Sequence, residues 1–120
     1  MRKHHENKDH SHWSRNQLQK EIIAFQLVLN DYKISFSELT YSSPREAEIR
    51  QDAINIAKII SENVRLKSFL LDKKKLPIKE LRKFVPTCHK TLKKYKIYFI
   101  ALALIFIEGF TFLKEFLNPQ

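Results

Sequence analysis

From Ser14 onward the apolar residues fall at helical spacing. Leu18, Ile22, Phe25 and Leu29 share one face and predict an amphipathic helix over residues 15–31. Ser14 with Gln17 three positions later makes a capping-box pattern at its start, with Trp13 placed as a hydrophobic staple. Residues 32–42 mix aromatics with Ser and Thr and read as a connection with one short turn around residues 36–40; a strand over residues 33–36 has no evident partner. Ser43-Pro44-Arg45-Glu46 is a second start signal, with Ser43 as the cap, Pro44 at the first helical position and Glu46 closing the box. The helix after it carries Ile49, Ala53, Ile56 and Ile60 inward and ends near Glu62. Asn63 is placed to cap a shorter helix with Leu66, Phe69 and Leu70 inward. That helix runs out in Lys73-Lys74-Lys75, which suit the negative end of a helix dipole.

Pro77 opens a short helix over residues 77–84, with Ile78, Leu81 and Val85 inward, and Pro86-Thr87 breaks it. Thr87 then caps a helix starting near Cys88, with Leu92 and Tyr95 on its inner face. Short helix, tight turn and second helix make a helix-turn-helix layout over residues 77–97. Its outward positions are Cys88, His89, Lys90, Lys93 and Lys94. Two features depart from the usual pattern: Arg82 takes an inner position where small residues are common, and Pro86 stands where glycine is common. Ordinary helical hairpins share this spacing. The uncharged run 97–107 is eleven residues long, about 16 Å of helix, against about 30 Å for a bilayer core. Extending it to Leu113 takes in Glu108 and Gly109, so it reads as a buried central helix that Gly109 ends. Phe112, Leu113 and Phe116 point inward from a short final helix. The expected fold is all-α, with about five to six helices over residues 14–120 behind a flexible polar tail at residues 1–13.

Charge changes the picture. The chain of 120 residues carries +9, and between Asp72 and Lys96 ten basic residues stand against two acids. A solvated helix face is the bland reading; an anionic partner, nucleic acid or a membrane surface, is the sharper one. On the sharper reading Cys88, His89, Lys90, Lys93 and Lys94 are candidates for base edges. Lys73, Lys74, Lys75, Lys79, Thr87, Thr91 and Lys96 are candidates for phosphates. A single glycine excludes phosphate-cradling Gly-rich loops and Rossmann turns, and a single cysteine excludes a disulfide framework or a Cys-rich zinc site. His4, His5, His10 and His12 lie in the polar tail, where no fixed geometry would hold a metal. The tail has no apolar stretch of the kind a secretory signal needs. Neither a metal nor a cofactor is expected. Cys88 and His89 do not make a nucleophile–base pair, because adjacent helical positions diverge by about 100°. The alternative to a nucleic-acid module is a membrane-associated helical protein, anchored over residues 97–113 beside a polybasic segment.

The chain resembles the C-terminal domain of the SigI group of bacterial sigma factors. The residues that carry the resemblance are 14–22 (SRNQLQKEI), 32–39 (YKISFSEL), 57–62 (AKIISE) and 76–81 (LPIKEL). It continues in Lys90-Thr91-Leu92, then in the apolar run ending at Gly109 with Phe112-Leu113-Lys114. The resemblance implies a non-enzymatic promoter-recognition module in the cytoplasm. In that family a preceding domain binds core RNA polymerase and the −10 element, while this domain reads the −35 region of promoter DNA. A membrane-anchored anti-sigma factor of the RsgI type holds the factor through a small cytoplasmic N-terminal domain, recruiting it to the inner face of the membrane. The family's roles are heat-stress responses and, in cellulose-degrading clostridia, polysaccharide-sensed control of cellulosome genes. The family pattern has Ser-Arg where this chain has Cys88-His89, a difference that bears on base preference.

An inhibitory partner needs apolar anchors as well as charge. Phe84, Tyr98, Phe110 and Phe116 lie close to the basic segment or near the C-terminus and are the candidate partner-facing aromatics. The competing expectation, that such aromatics complete the core, applies equally to Phe84, Tyr95 and Phe112.

Overall fold

The computed structural model describes the backbone from Arg2 to Leu117 and the side chains of residues 15–117. Among these residues there are eight α-helices and no strand: α1 (Arg2–Asp31), α2 (Phe36–Ser42), α3 (Ala47–Glu62), α4 (Val64–Lys73), α5 (Ile78–Leu81), α6 (His89–Lys94), α7 (Lys96–Glu108) and α8 (Thr111–Leu117). The class is all-α as the periodicity predicts, with more helices than the five to six expected.

The uncharged run forms the centre. In α7 every residue from Phe99 to Ile105 is buried, and α1, α2, α3, α6 and α8 all pack against this helix. An uncharged helix has no side that favours water, so it draws partners on all sides. α3 lies along it and supplies Ala53, Ile54, Ile56, Ala57 and Ile60 to the core. Gly109 stops α7 in left-handed backbone at φ 71°, with its N–H on the Phe106 carbonyl and that of Phe110 on Ile105.

Several helix boundaries differ from the sequence reading. α1 begins at Arg2, so Ser14 and Gln17 stand inside the helix. No proline or glycine lies between Arg2 and Ser14, and a nucleated helix propagates cheaply through such a stretch. The side chains of Trp13, His4, His5, His10 and His12, on which the staple and tail readings rest, lie outside the described residues. Residues 36–42 form a helix, not a turn: the Glu38 N–H donates to Ser35 Oγ at 3.0 Å, capping α2. Ser43 closes α2 instead of opening α3, its hydroxyl donating to the Leu39 carbonyl at 2.8 Å. Glu46 becomes the N-cap of α3 without a side-chain bond, and Arg50 donates to the Pro44 and Arg45 carbonyls of the connection. Asn63 caps α4 as expected, its Oδ1 accepting from the Leu66 N–H at 3.0 Å.

Burial also corrects the inward sets. Phe25 and Leu29 are buried, but Ile22 is 38% exposed. Phe69 is 39% and Phe116 67% exposed, since the cores under α4 and α8 are filled by Leu66 and Leu70 and by Leu113 and Leu117. One contact crosses nearly the whole chain. The Glu21 carboxylate of α1 accepts from the Phe112 and Leu113 N–H groups at 3.3 and 3.0 Å, satisfying the open amides at the start of α8.

Candidate nucleic-acid interface

α5 and α6 are short and in contact with one another, and α6 also packs on α7. Pro77 precedes α5, which keeps α-helical form for four residues. Past Leu81 the chain tightens, with Lys83 N–H on Glu80 and Phe84 N–H on Leu81, then runs without regular structure over residues 85–88. The helix predicted to reach residue 84 is therefore half α-helix and half tight turn. Arg82 is exposed rather than inward, and fully buried Leu81 takes the inner position. Cys88, not Thr87, is the N-cap of α6. At Tyr95 the backbone reaches φ −108°, ψ 27°, which separates α6 from α7.

α6 is one-sided. Leu92 is fully buried, while Cys88, His89, Lys90, Lys93 and Lys94 are exposed. Thr91 is half-buried, its Oγ1 3.3 Å from Cys88 Sγ, and this hydrogen bond lowers the thiol pKa from its ordinary value. Thr91 is the hydrogen-bond partner of Cys88 among the described residues, so no Cys–His pair forms. Lys94 Nζ leans over the Tyr95 ring at 5.2 Å. Of the phosphate candidates, Lys73, Lys74, Lys75, Lys79 and Lys96 are exposed, and Thr87 and Thr91 are half-buried.

Two recesses adjoin this face. One, of about 770 Å³, has Phe69, Leu76, Pro77 and Ile78 as its apolar wall, with Arg65 and His89 at its edge. The other, of about 390 Å³, is lined by Tyr32, Lys33, Lys74, Lys75 and Lys96, among others. Leu76 and Ile78 line both, so they are two sides of one surface. Arg65 and Lys33 reach it from distant segments, and neither falls in the basic run between Asp72 and Lys96. The only local signal for Lys33 is its place just past the end of α1. Of the four candidate partner-facing aromatics, Phe84 and Phe116 are exposed. Tyr98 and Phe110 are half-buried against the core, and Phe110 meets the Phe25 ring edge-on at 6.0 Å.

No protein-family profile matches the chain. Individual proteins do. It is 37% identical over 102 residues to RNA polymerase sigma factor SigI of Bacillus subtilis (strain 168), a match covering 85% of this chain and 41% of that protein. The chain is homologous to the SigI sigma factors. SigI of Bacillus anthracis is 37% identical over 99 residues, covering 82% of this chain and 41% of the relative. SigI4 of Acetivibrio thermocellus is 31% identical over 104 residues, covering 87% and 38% respectively. The chain thus spans about two fifths of the length of the curated SigI relatives it matches. Among the described residues of this SigI-like chain, no group of three or more His, Cys, Asp or Glu converges as a metal site. No described helix is long and apolar enough to cross a membrane.

Proposed function

We propose that this chain is the C-terminal, promoter-reading domain of a SigI-type sigma factor acting in transcription initiation. α6 enters the major groove at the −35 element, and the lysines before α5 follow the backbone. Cys88, His89, Lys90, Lys93 and Lys94 face base edges; Lys73, Lys74, Lys75, Lys79, Lys96, Thr87 and Thr91 face phosphates. The observation that carries this reading is the one-sided α6, anchored by buried Leu92 and exposing a histidine and three lysines. The full-length factor engages core RNA polymerase through its other part, in the cytoplasm. The role is non-enzymatic and uses no cofactor or metal. The membrane reading has no observation in its favour, because residues 99–105 are buried within the protein.

An anti-sigma domain of the RsgI type covers the same face. The groove of about 770 Å³ supports this: its apolar wall is rimmed by Arg65, Lys79 and Arg82, with Glu80 as the sole acid, and it reaches His89. Such a groove suits an acidic segment with apolar anchors, and its occupant would cover the start of α6.

Duplex binding measured across salt concentrations tests the DNA reading. Four to six phosphate contacts give a log–log slope of about −4 to −5; a nearly flat dependence would refute it. Co-migration tests the shared face. Anti-sigma domain and −35 duplex should exclude one another, and a stable ternary complex would move inhibition to the polymerase-binding part.

A further inference from the structure

The chain ends two helices in left-handed backbone without using glycine. After α1, Lys33 sits at φ 59°, with its N–H on the Asn30 carbonyl and that of Ile34 on Leu29. After α4, Lys74 sits at φ 58°, with its N–H on Leu70. Both are helix-ending positions where glycine is unstrained and a side chain costs conformational energy. Among the described residues these are the two non-glycine positions with positive φ, and both are lysines lining one recess.

The rest of the recess matches them. Lys75 and Lys96 complete four ammonium groups from three separate stretches of chain, against one carboxylate, Glu38. Tyr32 also lines it. Lys74 Nζ lies 4.6 Å from the centre of the Tyr32 ring. A basic residue near a helix C-terminus is ordinary dipole compensation. Dipole compensation does not require the left-handed position itself, nor does it account for Lys75 and Lys96 lining the same recess. Four lysines against one carboxylate give the recess a net positive charge that suits an anion.

We propose that Lys33, Lys74, Lys75 and Lys96 form a phosphate-binding recess, and that Lys33 extends the DNA-contacting surface beyond the basic segment. The inference rests on the promoter-reading role for the source of the phosphate, which is then a duplex backbone. The recess shares Leu76 and Ile78 with the groove that His89 also lines, so a backbone leaving the α6 face can continue into it.

The test uses the 120-residue chain with Lys33→Gln and Lys33→Gly. Both should weaken binding to all duplex sequences alike and flatten the salt slope by about 0.9, the value of one lost phosphate contact. Lys33→Gly should also raise the melting temperature, since glycine relieves the left-handed position. A purely structural lysine would raise stability on this change and leave the slope alone. Inorganic phosphate, followed by amide NMR shifts at Tyr32, Lys33, Lys74 and Lys96, separates the sources. Shifts at millimolar phosphate with duplex binding unaltered by Lys33→Gln would assign the recess to a free phosphate group. Wild-type slope in both variants together with no phosphate shifts overturns the recess, even while Lys90→Ala still weakens DNA binding. If the chain binds no duplex at all, the promoter-reading role fails, and the phosphate titration still decides for or against the recess.

Discussion

α6 and α7 meet at a single residue, Tyr95, and are built on opposite principles. α7 has seven consecutive buried residues and only its ends are charged. α6 has one buried side chain, Leu92, and keeps its charges in water. Burying an apolar side chain contributes roughly 1.5–3 kcal/mol, so α7 fixes the fold, whereas α6 stays in place by docking through Leu92. The break at Tyr95 lets the chain pass from one regime to the other without twisting the lysines into the core. Stability and recognition are thereby assigned to adjacent helices, and substitutions should separate them.

Phe99→Ala should have the largest effect, about 3–5 kcal/mol of unfolding free energy in a denaturant titration, because the ring is fully buried in the core. A loss below about 1 kcal/mol would mean that the two helices are not the contrasting elements described. His89→Ala should do the reverse. It leaves stability within about 0.5 kcal/mol and shifts discrimination among −35 variants by about 1–3 kcal/mol if the imidazole reads a base. Equal weakening on every duplex would reassign His89 to the phosphates.

Glu21→Ala sharpens the comparison at the other end of α7. Losing the acceptor for the Phe112 and Leu113 amides should cost about 1 kcal/mol, the usual scale of a helix cap. DNA affinity should be unchanged, since α8 packs on α1 and α7, away from α5 and α6. The smallest effect is in pH. Burial raises the Tyr98 phenol pKa, partly offset by Arg50, and burial also raises Tyr32. A raised phenol favours the protonated folded state, so stability holds below about pH 10 and falls as pH rises beyond it. Tyr98→Phe should make that alkaline fall shallower in a melting-temperature series, and an unchanged profile would place the phenol in water.

What could be read from the sequence was what depends on near neighbours. The all-α class, the Asn63 cap, the stop at Gly109 and the burial of α7 each follow from residue type within a few positions. The exposure of Cys88, His89, Lys90, Lys93 and Lys94 followed from helical spacing about Leu92. Other features were set by groups the local pattern does not contain. Ser43 offers its hydroxyl to either neighbouring helix, and the Leu39 carbonyl wins. Ile22 and Phe69 stay partly exposed although helical spacing alone points them inward. Glu21 meets α8 across 91 and 92 positions, and Lys33 reaches Lys96 only because α1, α4 and α7 end or begin around one recess. Local backbone energies select helix and stop within a turn or two, whereas partners for caps, charges and apolar faces are chosen by packing, which no window of sequence contains.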